Sequence, residues 1–287
     1  MQYWSPGSIE EAVGLLSETG ATTRALAGGT DLLAQIRIGG QAPERVIDLK
    51  RIPELGRIDV DAQGFRIGAA VCSAEIGEHE ELRAAWPGVV EAAELIGSTQ
   101  IQGRASLGGN LCNASPAADS VPALIAAGAT CTLAGPDGRR EVRVEDVVLG
   151  PGQTSLALGE IVVDFRLPRP QYRTGDAYLR LIPRSEMDIA VVGAGVCLSL
   201  DRDGHCTACR VALGAVAPRP ILVAGAGEAL VGHAVEGDAL AALSAAASAA
   251  TDPIDDMRGT RDYRIRVAGV MARRAAVIAA ERAASRV

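Results

Sequence analysis

The 287-residue chain carries a single lysine, Lys50, among its 28 basic residues, and just three histidines. His79, His205 and His233 share no acid–base constellation and read as surface or turn residues. Metal-binding sets are missing as well. Of the six cysteines, Cys206-Thr-Ala-Cys209 alone has ligand spacing, and a structural zinc site needs about four ligands. No second such pair follows, and strand alternation is expected to put these two thiols on opposite faces. There is no iron–sulfur cysteine set, so any such cluster working with this chain belongs to another polypeptide. No apolar run reaches the roughly 20 residues of a membrane-spanning helix. Met1-Gln-Tyr-Trp-Ser-Pro6 lacks the basic start and apolar region of a secretion signal, so a cytoplasmic location is expected. A net charge of −7 argues against nucleic acid as the main partner, because phosphate backbones demand clustered Lys and Arg.

What the chain does have is glycine in pairs. At 48% hydrophobic residues it can bury the cores of two domains. Ala27-Gly28-Gly29-Thr30-Asp31-Leu32-Leu33 and Ser106-Leu107-Gly108-Gly109-Asn110-Leu111 each run from an apolar segment into a Gly-Gly pair flanked by a small polar residue. Such a pair allows positive φ and brings backbone N–H groups close to a ligand. Successive N–H groups facing one concavity make a nest for a phosphate or pyrophosphate. Helices expected over residues 32–38 and 119–127 would add their dipoles. The plainer alternative is two ordinary strand-to-helix connections.

Taken in order, Ser8-Ile-Glu-Glu11 is a capping box predicting a helix over residues 9–19. Short strands are expected over 24–27 and 46–49, no third strand before residue 51, and a helical turn over 51–55. Further on, a second subdomain is expected to begin near residues 65–70, and helices over 73–78 and 89–96 lead to the second glycine pair. Gly135-Pro-Asp-Gly138 is a hairpin signal between strands over 130–134 and 141–144, and 161–167 reads as a strand. After Pro168-Arg-Pro170, antiparallel strands are expected over 178–181, 190–200 and 207–215, then helices over 238–250 and 263–284. Val192-Gly-Ala-Gly195 and Ala224-Gly-Ala-Gly227 lack the third glycine of a dinucleotide fingerprint, Leu198 and Leu230 standing in its place, and read as close packing instead.

The string Ser106-Leu-Gly-Gly-Asn-Leu-Cys-Asn-Ala-Ser-Pro-Ala-Ala-Asp119 resembles the second flavin motif of the FAD-binding subunits or domains of molybdenum hydroxylases. That family includes the medium subunits of carbon monoxide dehydrogenase and the flavin domain of xanthine dehydrogenase. Ala27-Gly-Gly-Thr-Asp31 resembles its first motif. Gly159-Glu-Ile-Val-Val163, Arg184-Ser-Glu-Met-Asp-Ile-Ala190, Val211-Ala-Leu-Gly-Ala-Val-Ala-Pro218 and Asp262-Tyr-Arg-Ile-Arg266 continue the likeness in the family's order.

The resemblance implies an α+β chain. A p-cresol methylhydroxylase-type FAD-binding domain of two α/β subdomains would span residues 1–168 (about 1–55 and 56–168). A C-terminal domain of antiparallel sheet and helices would span 169–287. By the same carry-over, Leu26, Ala27, Gly28, Gly29, Thr30, Asp31 and Leu32 would hold the pyrophosphate and ribityl chain. Ser106, Gly109, Asn110, Asn113 and Asp119 would form the opposite wall, joined by Ile96, Ala105, Gly108, Cys112 and Ala118. Asp119 would accept a hydrogen bond from a hydroxyl or ring N–H; read from the residues alone it is a helix N-cap. Val162 and Arg180 match positions near the flavin. Arg180 stands where many relatives carry lysine, and a cation there would stabilise negative charge on the reduced ring; otherwise it is a strand-surface arginine. Asp188 and Ile189 fall where relatives approach the ring, and Ile189 would pack. Arg184 and Tyr263 match without an assigned chemistry, and no catalytic residue is expected.

The implied partners are a large molybdopterin subunit and a small subunit with [2Fe–2S] clusters, in a dimer of heterotrimers passing electrons through FAD to an external acceptor. Two other readings stay open. One is a stand-alone flavin oxidase, disfavoured by the modest C-terminal region and the lack of a His or Tyr pair for covalent flavin attachment. The other is a nucleotide-binding scaffold without redox work.

Overall fold

The computed structural model describes residues 1–39 and 42–286. At the start, Ser8 Oγ accepts from Glu11 N at 3.2 Å and opens the helix Ile9–Ser17. The Glu11 carboxylate reaches back to Gly7 N at 2.9 Å, one residue short of a capping box. Beside it lies a three-stranded parallel sheet in the order Gln2–Trp4, Arg45–Asp48, Thr23–Leu26. The first of these strands is the one not expected. It has three residues, all exposed, so no apolar alternation announced it.

The next unit is a five-stranded antiparallel sheet, ordered Ile58–Asp61, Gly64–Gly68, Ile161–Pro168, Thr130–Gly135, Gly138–Arg143. The expected hairpin closes through Pro136-Asp137, with Gly135 paired to Gly138. The strand Ile58–Asp61 and the helix Glu80–Ala85 were not legible beforehand; the helix is opened by His79, whose Nδ1 accepts from Leu82 N at 3.1 Å. Helices Ser73–Glu78, Pro87–Glu94, Leu107–Cys112 and Ser120–Ala126 pack over a core that includes Phe65, Ile67, Trp86, Leu107, Leu124 and Phe165.

The remainder is a four-stranded antiparallel sheet, Thr174–Leu181, Val192–Leu200, Cys206–Gly214 and Ile221–Leu222, with the helix Arg261–Ser285 packed on it and the helix Gly237–Ala249 packed on that helix. The architecture is α+β. Strand alternation divides the labour along Thr174–Leu181. Ala177, Leu179 and Leu181 join the C-terminal core, while Asp176, Tyr178 and Arg180 bond to the preceding half of the chain. The two incomplete fingerprints are packing glycines. A Cβ on Gly195 would sit 2.6 Å from Pro122 O, and one on Gly227 would sit 2.3 Å from Cys209 O.

The expectation for Cys206 and Cys209 is corrected. A bulge between the pairs Ser199↔Ala208 and Leu200↔Cys206 breaks the alternation, so Cys206 and Cys209 lie on one face, opposite Leu200 and Leu198, and the Cys206 thiol donates to Ala208 O at 3.3 Å. The neighbouring Cys209 holds the Cys206 thiol below its ordinary pKa, and Cys206 in turn drives Cys209 well above it. No group of three or more metal-capable side chains occurs among the described residues, and none of their helices is long and apolar enough to cross a membrane.

Candidate functional site

The strand Thr23–Leu26 delivers the first glycine pair, which leads into the helix Leu32–Arg37. Gly29 has φ +79°, a conformation other residues seldom adopt, while a Cβ on Gly28 would lie 1.9 Å from the Arg104 carbonyl oxygen. None of the N–H groups of Gly28, Gly29, Thr30, Asp31 and Leu32 finds a protein acceptor among the described residues. Asp31 holds the N-cap position without a side-chain cap bond, and partial burial raises its carboxyl above the usual range. The turn therefore has the unspent donors that a phosphate group needs.

The second pair is built differently from the nest expected. Gly108 and Gly109 are not a turn but the first turn of the helix Leu107–Cys112, which starts twelve residues before the helix foreseen there. Ser106 caps it. Its Oγ accepts from Gly109 N at 3.1 Å, its carbonyl accepts from Asn110 N at 3.0 Å, and Gly108 N is spent on Ala69 O at 3.1 Å. Closeness explains glycine here, since a Cβ on Gly108 would lie 2.5 Å from Ala69 O.

The two segments do face each other. Ala27 Cβ lies 3.9 Å from where a Cβ on Gly109 would be, and Gln35 Nε2 donates to Asn113 Oδ1 at 3.2 Å across the gap. Between them runs a cleft lined by Leu26, Ala27, Gly28, Gly29, Thr30, Asp31, Leu32, Ile96, Ala105, Ser106, Gly108, Gly109, Asn110, Cys112, Asn113 and Val162. Its empty volume is about 1120 Å³, open solvent at the mouth included, which suits a dinucleotide. Leu49, Leu55, Ala69, Ala70, Leu156 and Ile161 add an apolar floor that motif reading did not supply, because they are ordinary core residues in sequence. Behind the first turn, Lys50 Nζ donates to Ala27 O at 2.9 Å and to Asp48 Oδ1 at 2.7 Å. Burial acts to raise the Asp48 carboxyl, but hydrogen bonds from Lys50 and from the Tyr3 hydroxyl prevail and hold it below the usual range.

Five expected site residues lie outside this lining: Ala118, Asp119, Arg180, Asp188 and Ile189. Ala118 is buried beside Asp119. Asp119 occupies the N-cap position of Ser120–Ala126 but caps nothing, and Asn110 Oδ1 takes Ser120 N instead, at 3.2 Å. The Asp119 carboxylate accepts from the Tyr178 hydroxyl at 3.1 Å and from Arg180 at 2.9 Å. Burial pushes this carboxyl up to about 6, against the pull of Arg180 and Tyr178.

Arg180 is no surface residue: its side chain is buried, and the same guanidinium nitrogen donates to Leu95 O at 2.7 Å. Its partners thus fix the end of the helix Pro87–Glu94, next to Ile96 on the cleft wall. Asp176, four residues earlier on the same strand, accepts from Val89 N at 3.2 Å in that helix's first turn. One strand grips one helix at both ends, a carboxyl acceptor at the first turn and a cation at the negative pole. Asp188 pairs with Arg258 at 2.7 Å and with Arg184 at 3.8 Å, and Ile189 beside it is exposed.

Residues 1–170 match the family model for the FAD binding domain in molybdopterin dehydrogenase, and residues 177–279 match that for the CO dehydrogenase flavoprotein C-terminal domain. The chain is 35% identical to the carbon monoxide dehydrogenase medium chain of Hydrogenophaga pseudoflava over 275 residues, covering 96% of this chain and 95% of that one. Among solved structures, it superposes on a chain of reconstituted CO dehydrogenase from Oligotropha carboxidovorans with a TM-score of 0.94 at 34% identity, covering 98% of each chain. It also superposes on a chain of quinoline 2-oxidoreductase from Pseudomonas putida 86 with a TM-score of 0.91 at 28% identity, covering 99% of this chain and 98% of that one.

Proposed function

The chain belongs to the family of FAD-binding medium subunits of molybdenum hydroxylases, and from that premise we propose that it is the electron-exit module of a larger oxidoreductase. Bound FAD would accept electrons from the [2Fe–2S] clusters of a small partner subunit and yield them to an external acceptor. Substrate oxidation would belong to a molybdopterin subunit, the complex being a dimer of heterotrimers in the cytoplasm.

The observation that carries this reading is the cleft between two glycine segments, with five consecutive N–H groups on one wall unspent among the described residues. Residues 28–32 would bind the pyrophosphate through those donors. Lys50 holds the turn in place through Ala27 O and leaves its backbone N–H groups to the ligand. Ser106 Oγ, capping the facing helix, keeps the second wall fixed. Apolar Ile96, Leu55 and Val162 exclude water from the interior of the cleft. Asp119 and Arg180 neutralise each other, and so position Ile96 rather than offering a free charge to the ring. Asp188 and Ile189, on the loop after residue 181, would approach the ring from the C-terminal domain.

Purified chain, with whatever co-purifies, is expected to show a visible flavin band that bleaches on reduction. Iron and molybdenum are expected in the same preparation. A colourless chain that does not take up added FAD would overturn this proposal and favour a non-redox scaffold.

A further inference from the structure

The first glycine turn has two sides. Leu26, Gly28, Gly29 and Thr30 line the cleft on one side and a second, open groove on the other, about 1260 Å³ with its solvent mouth included. The groove's far wall comes from the helix Leu32–Arg37 and from residues 100–104. Its chemistry is the reverse of the chain's acidic balance. Arg37 and Arg104 stand exposed on it without a carboxylate partner among the described residues, and the one acid on its wall, Asp48, is already bonded to Lys50 and Tyr3. Apolar side chains lie open beside these cations: Leu33 is 46% exposed and Ile38 is 85% exposed. Arginine is enriched at protein-binding surfaces, and exposed apolar side chains rimmed by polar groups mark such sites.

We propose that this groove docks an acidic segment of the iron–sulfur partner polypeptide. Carboxylates of that segment would meet Arg37 and Arg104, and an aliphatic anchor would lie against Leu33 and Ile38. The inference rests on the reading that the chain works with such a partner, and it adds the face and the chemistry of contact. Charge complementarity selects an acidic occupant, since two unneutralised guanidinium groups in a chain of net charge −7 repel a basic one. The docked segment would press on the back of the turn proposed to hold the pyrophosphate.

The test uses the chain co-expressed with its iron–sulfur subunit, comparing wild type with Arg37→Glu/Arg104→Glu and with Ile38→Glu. Association is measured by sedimentation at low and high salt, and flavin by its absorbance. The double variant is expected to weaken association by about tenfold or more at low salt, with flavin content unchanged. Wild-type association should fall as salt rises, and Ile38→Glu should weaken association at either salt. Variants that assemble as tightly as wild type would overturn the docking face. Loss of flavin from both variants would also overturn it, by making the groove part of the cofactor site. A wild-type chain that bound neither FAD nor the partner would instead sink the functional reading beneath it.

Discussion

The ammonium of Lys50 lies 2.9 Å from the carbonyl oxygen of Ala27, 23 residues earlier in the chain, and pins the first glycine turn from behind. Composition made this lysine conspicuous, and the structure gives it a place. Lys50→Met removes a charge-assisted hydrogen bond and leaves Asp48 without its cation, at a cost of about 1.5–3 kcal/mol of stability. The FAD dissociation constant is expected to rise by about tenfold, equivalent to 1.4 kcal/mol. Equilibrium dialysis against FAD checks this; an unchanged constant would detach Lys50 from the site.

Glycine at position 28 is set by the backbone of Arg104 packed directly against it. The direction of its Cβ shows that a side chain would strike the Arg104 carbonyl 1.9 Å away, and so would force the two walls apart rather than merely block a phosphate. Gly28→Ala is therefore expected to lower both flavin occupancy and stability, the latter by about 1–3 kcal/mol. Gly14→Ala, in a helix with nothing within 4 Å of its Cβ, should stabilise by up to about 1 kcal/mol and serves as the control. Denaturant midpoints and absorbance ratios for the two variants should diverge; parallel behaviour would contradict the clash.

Asp119 and Arg180 form a buried pair, and such pairs are costly to split. Arg180→Met strands the Asp119 carboxylate and is expected to destabilise by about 3–5 kcal/mol, while Asp119→Asn/Arg180→Met should recover much of that loss. A double-mutant cycle by chemical denaturation measures the coupling. Additive single-variant costs would mean that the pair acts through packing alone.

Asp176 should make stability fall as pH rises. Burial pushes its carboxyl from about 3.8 to about 7, against Arg286 and Arg282 and with Glu91 adding to the rise. The folded chain therefore binds a proton that the unfolded chain has released between these values. Its stabilising contribution is complete below the unfolded pKa and lost as pH climbs through about 7. At 1.36 kcal/mol per pKa unit the swing is on the order of 4 kcal/mol. Asp176→Asn keeps an acceptor for Val89 N without the titration. It should gain on wild type as pH is raised from 4 to 8, a range about one unit beyond the top of the shift. Melting curves across that range test it, and a constant difference would exclude Asp176 as the titrating group.

Much of the fold was legible because its signals were local. Ser8 and Glu11 marked a helix start, Pro136-Asp137 between glycines marked a hairpin, and the long apolar strands announced the C-terminal sheet. Features that failed to show depend on distant partners. Gln2–Trp4 is a strand because Arg45–Asp48 offers it an edge, and Cys206 and Cys209 share a face because a bulge breaks the alternation. Within the cleft, the Gly-Gly pairs stood out, yet the sequence could not distinguish a turn with free donors at 28–32 from a capped helix at 107–112. Arg180 matched a motif position, but the burial of its side chain and its bonds to Leu95 and Asp119 belong to the packing of the strand Thr174–Leu181 on distant helices.

The strand Thr174–Leu181 and the helix Pro87–Glu94 measure each other's length. Four residues of strand, at about 3.4 Å each, separate Asp176 from Arg180, and the residues they hold, Val89 and Leu95, are separated by a helical rise of about 9 Å. An insertion or deletion of one residue between those two positions would turn one of the pair to the opposite side of the sheet. Lengthening the helix by one residue would swing its last carbonyl by about 100°. Loops elsewhere can change length cheaply, but this stretch behaves as a gauge, intolerant of any change in count however mild the chemistry of the added residue.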